Sequence, residues 1–147
     1  MTTIGVFASI FDASGRILLV RQAYANRRWT TPGGGVESGE SPVAALRREV
    51  REEIGCEIEP THFQGVYSKL YRNDLVLSFG ATVRVGTPHR ASVEIADLGF
   101  FDRTKLPIEM AANSRARVVD AFNGLRSVLR IFESERSTGT LLSTYAA

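Results

Sequence analysis

The sequence predicts a single α/β domain, on three observations: short β-branched and apolar runs bounded by turn residues, a helix with clear signals at both ends, and no repeat or linker dividing 147 residues. A chain of this length with 44% hydrophobic residues buries a full core without disulfides or a structural metal. Its one cysteine, Cys56, has no partner for an intramolecular bridge and no zinc-site spacing.

The elements follow in chain order. Ile4 to Phe11 reads as a strand, Asp12-Ala-Ser-Gly15 as a tight turn, and Arg16 to Arg21 as a second strand. From Gln22 to Trp29 the chain is polar and irregular, and Thr31-Pro-Gly-Gly-Gly35 reads as a loop without regular structure. Ser41-Pro42 forms an N-cap with proline in the first turn, Val43 to Ile54 the helix, and Gly55 a left-handed C-terminal cap. Val43, Leu46, Val50 and Ile54 line one face of that helix for docking on a sheet. Phe63 to Tyr71 and Asp74 to Val85 are expected strands around an Arg72-Asn73-Asp74 turn, making a sheet of four or more strands. Glu94 to Pro107 carries no single periodicity. A last helix is expected from a cap at Asn113 or Ser114, with Val118, Phe122, Leu125, Leu129 and Phe132 as its apolar stripe, and 136–147 as a flexible tail.

Composition narrows the function. No apolar run approaches the roughly 18 residues that span a bilayer, and the N-terminus lacks the marks of a signal peptide, so a cytoplasmic protein without membrane contact is expected. A net charge of +2 is too small to argue for DNA or RNA binding. Sixteen of the eighteen basic residues are Arg, whose planar fork matches phosphate oxygens. The apolar stripe of the last helix and Leu141-Leu142 are compatible with a homodimer.

The chemistry concentrates in one segment. Glu49, Glu52 and Glu53 stand at i, i+3 and i+4 of the first helix, so three carboxylates project from about a third of its circumference. Like charges at that spacing cost roughly 0.2–0.5 kcal/mol per pair unless a cation binds, and a hard divalent ion such as Mg2+ or Mn2+ suits carboxylate oxygens. An acidic helix face balanced by Arg47, Arg48 and Arg51 would look the same in isolation. Gly33, Gly34 and Gly35 immediately upstream shift the balance, because glycine backbone approaches a metal or phosphate closely.

Gly34, five residues, Glu40, seven residues, then Arg48-Glu49-Val50-Arg51-Glu52-Glu53-Ile54-Gly55-Cys56 resembles the Nudix box at every fixed position, with Cys56 in a slot usually held by an aliphatic residue. Trp29-Thr-Thr-Pro-Gly-Gly resembles the usual entry to the box, and Glu94-Ile-Ala-Asp-Leu-Gly-Phe-Phe an acidic segment beyond it. The resemblance implies a Nudix-type α/β/α sandwich, a mixed sheet between helices. It also implies divalent-metal-dependent hydrolysis of a phosphoanhydride in a nucleoside diphosphate derivative, with a MutT-like nucleoside triphosphate pyrophosphohydrolase as the first substrate expectation. Carried onto this chain, it makes Glu49, Glu53 and Glu52 metal ligands, with the Gly33 carbonyl as a further ligand. It makes Arg48 and Glu40 the pair bracing loop to helix, and Glu52 or Glu94 the general base. Arg21, Gly34, Trp29 and Tyr71 are candidate contacts to a small-molecule nucleotide.

Marks of narrower subfamilies are weak. Leu70-Tyr71-Arg72-Asn73 lacks the proline of ADP-ribose hydrolases, and Tyr71 falls near a tyrosine of dinucleoside polyphosphate hydrolases. Cys56, at the helix C-terminus, does not fit the catalytic cysteine of an isopentenyl diphosphate isomerase. The alternative reading is a non-catalytic Nudix-like sensing module, which the intact box disfavours.

Overall fold

The computed structural model describes residues 1–146, and side chains for 1–142. The order is β1 (Thr3–Ile10), β2 (Ile17–Gln22), β3 (Trp29–Thr30), β4 (Gly33–Gly35), α1 (Pro42–Ile54) and β5 (Glu57–Lys69), then β6 (Asp74–Val85), β7 (Ile95–Phe101), α2 (Ala112–Phe122), β8 (Leu125–Phe132) and β9 (Thr140–Ala146). Short 3₁₀ turns cover Leu70–Arg72 and Arg103–Lys105. A six-stranded mixed sheet runs β4-β1-β6-β5-β8-β9, and a smaller antiparallel sheet runs β3-β2-β7. The pairs β1/β6 and β5/β8 are parallel.

The first two strands and their turn form as the residues dictate. Asp12 Oδ1 accepts from the backbone N–H groups of Ser14 and Arg16, both at 2.9 Å, and Gly15 takes a positive φ of 77°. They do not continue as a hairpin: beyond a Phe11–Ile17 bridge, β1 pairs with β4 and β6 while β2 pairs with β3 and β7. Burial on both faces is the reason. Leu18 and Val20 pack with Leu46, Val50 and Ile54 of α1, whereas Ile17 and Leu19 pack with Trp29 and with Val118 of α2. A strand buried on both faces reads as a continuous apolar run.

Helix α1 matches its sequence signals. Ser41 Oγ accepts from Ala44 N at 3.0 Å, and Gly55 closes the helix at φ 69°, its N–H donating to Arg51 O. The loop after β6 docks there, with His89 N donating to Ile54 O and Ala91 N to Glu53 O.

Three expectations need correction. The loop at Thr31–Gly35 carries regular structure in part, because the third to fifth residues form β4 against β1, with Gly33 opposite Phe7. A Cβ on Gly33 would lie 2.0 Å from the Val6 carbonyl, so only glycine permits this approach. The last helix ends at Phe122, and Leu125, Leu129 and Phe132 belong to β8. Gly124 turns the chain at φ 67° between them, and the stripe continued at helical spacing only by coincidence. Its cap is Ala111, while Asn113 and Ser114 are buried inside the first turn. Finally, Thr140–Ala146, within the stretch expected to be a flexible tail, pairs antiparallel with β8. Ala147 lies outside the described residues.

A buried polar network ties α2 to the sheet. Gln64 Nε2 donates to the Arg117 carbonyl at 2.8 Å, Tyr67 Oη donates to Asp120 Oδ2 at 2.9 Å, and Arg130 forks onto both Asp120 oxygens at 2.7 Å. Burial, together with the Asp120 charge, pushes the Tyr67 phenol well above its usual range. Removing the carboxylate strands a buried hydroxyl and a guanidinium. Asp120→Ala is expected to cost ~3 kcal/mol, roughly 6–12 °C in thermal midpoint for a chain of this size. A thermal midpoint unchanged within 2 °C would show that the network does not hold α2.

Candidate active site

The site is built where α1 meets the glycine strand. Glu49 and Glu53, one turn apart, flank the face that Leu46, Val50 and Ile54 anchor in the core, which leaves the two acids beside β4. Gly33 N donates to Glu53 Oε1 at 2.8 Å, and a Cβ on Gly34 would lie 2.4 Å from the Glu49 carboxyl carbon. The two glycines therefore make room for the two acids.

Arg48 is the hub on the exposed side. Its Nε and Nη2 donate to Glu40 at 2.7 and 2.9 Å, Nη2 also reaches the Gly35 carbonyl at 3.0 Å, and Nη1 reaches Glu49 at 3.1 Å and Glu52 at 3.3 Å. The forked bond from Arg48 holds the Glu40 carboxyl down at about 2. Glu52 is the most exposed acid of the helix and points toward Arg48, away from Glu53's glycine contact.

Burial pushes Glu53 up to about 8, and the neighbouring charges of Glu49, Glu94 and Glu52 push the same way. Glu49 is raised chiefly by burial, with Glu52 and Glu94 adding to it and Arg48 opposing. Glu94, at the exposed loop before β7, is thus electrostatically part of the cluster, and its carbonyl accepts from Ala23 N at 2.8 Å. Such a set of oxygens, incompletely neutralised, suits a hard divalent cation. Among the described residues no three acidic, imidazole or thiol side chains are gathered closely enough to hold an ion by themselves, so water or substrate oxygens would complete its shell.

Of the other sequence candidates, Gly33 is at the site, its N–H donating to Glu53 Oε1. Arg21 Nε donates to the Arg27 carbonyl at 2.9 Å. Trp29 is a core residue, 9% exposed and edge-on to Phe101 with centroids 5.0 Å apart, and it also lines a neighbouring cleft of about 160 Å³. Tyr71 lines that cleft and accepts from Asn113 Nδ2 at 3.2 Å.

Sequence reasoning missed Tyr24, Gln22, Asn113 and Arg117. Tyr24 stands close enough to the acids that Glu53, Glu94 and Glu49 add to the effect of burial in raising its phenol. It accepts from Gln22 Nε2 at 3.3 Å, and Gln22 lines the cleft. Phe7, opposite Gly33, lines it too, so cleft and acid cluster adjoin. No local pattern marks these residues, because strand pairing and loop docking bring them together.

A profile of the NUDIX domain matches residues 1–122, more than half of the chain. The chain belongs to the Nudix family. As a member of it, this Nudix protein is a hydrolase acting on pyrophosphate bonds. It is 31% identical to a putative 8-oxo-dGTP diphosphatase of Bacillus subtilis, over 87% of this chain and 85% of that one. It is 30% identical to a MutT-like protein of Streptomyces ambofaciens, over 83% of this chain and 78% of its relative. The crystal structure of a mutator MutT protein from Bacillus halodurans superposes with a TM-score of 0.77, covering 97% of this chain and 96% of that one at 23% identity, a likeness of fold. No helix among the described residues is long and apolar enough to cross a membrane.

Proposed function

We propose that this Nudix hydrolase is divalent-metal-dependent and cleaves the phosphoanhydride of a small-molecule nucleoside diphosphate derivative, with nucleoside triphosphates as the first substrate class. One observation carries the metal dependence: a part-buried Glu53, raised to about 8 and crowded by three further carboxylates, beside glycine backbone. The name of the Bacillus subtilis relative, a putative 8-oxo-dGTP diphosphatase, supports the triphosphate class.

In this reading Glu49 and Glu53 hold Mg2+ or Mn2+ through their carboxylates, with Glu52 as an outer ligand reached by rotation. A bound ion of this kind neutralises charge on phosphoryl oxygens and lowers the pKa of water. Arg48 positions Glu49 by pairing with it while clamped to Glu40 and the Gly35 carbonyl. Glu94, exposed and near enough for its charge to act on Glu53 and Glu49, is the candidate general base.

The test is phosphate and pyrophosphate release from nucleoside triphosphates, ADP-ribose, sugar nucleotides and dinucleoside polyphosphates, with magnesium, manganese or a chelator. Metal-dependent turnover of at least one compound supports the reading, and silence across the panel with nucleotide binding retained would replace it with a sensing module. Glu94→Gln is expected to lower kcat at least ~10-fold and to remove one limb of the pH–rate profile. An unchanged profile would move the base to Glu52.

A further inference from the structure

The cleft beside the acid cluster has the opposite electrostatic character. Four cations line it, Arg28, Lys69, Arg72 and Arg117, against one carboxylate, the exposed Glu135. Lys69 is partly neutralised by Asp74 at 3.4 Å, but Arg28 and Arg72 form no ion pair among the described residues. Arg117 is 1% exposed, over the Phe7 ring at 4.6 Å, and bonds only to uncharged oxygens: Asn113 Oδ1 at 2.9 Å, Thr30 Oγ1 at 3.1 Å and two weaker hydroxyl contacts. Its Nε has no hydrogen-bond partner among the described residues.

Arg117 makes no direct ion pair among the described residues, the Asp74 charge acting on it only from further off. A buried guanidinium so placed is costly, and an anion nearby offsets that cost through a low-dielectric path. The volume of about 160 Å³ is well below the roughly 300 Å³ of pockets that enclose a whole ligand, so the cleft seats a group and not a nucleotide. It adjoins the acid cluster through Phe7 and the Gln22–Tyr24 bond, so one molecule can reach both.

We propose that this cleft is an anion subsite, which takes a phosphate or carboxylate carried by the substrate away from its scissile diphosphate. Which molecule bears the anion rests on the hydrolase reading above; the preference of the cleft for an anion does not. The preferred substrates are then nucleoside diphosphate derivatives with a second, remote negative group.

Two matched pairs test it by steady-state hydrolysis at fixed ionic strength with magnesium: ADP-ribose against its 2′-phosphate, and UDP-glucose against UDP-glucuronate. The anionic member of at least one pair is expected to show kcat/KM higher by about tenfold, chiefly through KM, and the pair that responds distinguishes phosphate from carboxylate. In R28A/R72A the preference should fall to about twofold or less, whereas E135Q should strengthen it, a gain that misfolding cannot mimic. A second readout needs no turnover: calorimetric binding of adenosine 2′,5′-bisphosphate against adenosine 5′-phosphate in EDTA, with the same variants. No preference in either assay, or a preference that survives R28A/R72A, overturns the subsite. Preferential binding of the bisphosphate with no hydrolysis of any compound keeps the subsite and removes the hydrolase reading, while hydrolysis indifferent to the remote charge does the reverse.

Discussion

Glu53→Gln is expected to abolish metal-dependent turnover, by ~10³-fold or more, while the metal-free protein becomes more stable at neutral and alkaline pH. Both effects have one cause. The amide keeps an oxygen to accept from Gly33 N, so the loop stays docked, but it removes the charge that Glu49, Glu94 and Glu52 oppose. The wild-type carboxyl is raised to about 8 when folded, above its ordinary 4.5. Its contribution to stability is therefore complete below about 4.5 and is lost as pH rises through about 8. The variant has no such loss, so its advantage grows across that window to ~2 kcal/mol by pH 9, roughly 4–8 °C. Thermal melts in EDTA from pH 5 to 9, beside turnover assays with magnesium, measure both. Near wild-type rates would remove the metal-site assignment, and parallel melting curves would show that Glu53 is not a strained acid.

Arg48→Lys is expected to lower kcat ~10²-fold with the fold retained. The reason is geometric, since one guanidinium bridges Glu40, the Gly35 carbonyl, Glu49 and Glu52 at once. An ammonium is a point charge that cannot span them, and Glu49 would lose the partner that sets its carboxylate. Glu40 reports the change independently. Its carboxyl, held at about 2, contributes stability that is present above about 4.5 and lost as pH falls toward 2, and the Lys variant should lose part of that contribution earlier, between pH 4.5 and 3. A side-chain titration of Glu40 by NMR together with kcat decides the case. Full activity with a shifted Glu40 would leave Arg48 structural only.

The two variants divide the site by sequence legibility. Glu49, Glu52, Glu53, Arg48 and Glu40 all lie within one helix and the loop before it, where spacing alone dictates which side chains share a face. Ser41 and Gly55 were equally legible, because caps are local hydrogen-bond arrangements between residues a few positions apart. Glu94 was reachable only through a family resemblance, and its electrostatic reach to Glu53 comes from the docking of the 86–94 loop onto the end of α1.

Helix α2 shows where local reasoning fails. The apolar residues from Val118 to Phe132 keep helical spacing, yet the parallel pairing of β8 with β5 and the turn at Gly124 make half of that stretch a strand. Pairing partners far along the chain outweighed a local pattern, as tertiary context commonly does. The cleft lies further still beyond the sequence. Arg28, Tyr71 and Arg117 come from three segments that only the sheet order assembles.

By itself, then, the sequence determined the acid-bearing helix, its caps and the hydrolase family, since each depends on residues close in the chain. Only the tertiary structure decided the division of β1 and β2 between two sheets, the strand after α2, the raised carboxyl of Glu53 and the cationic cleft. Those depend on burial and on charges brought together across long separations, and neither burial nor proximity is a property of a short segment.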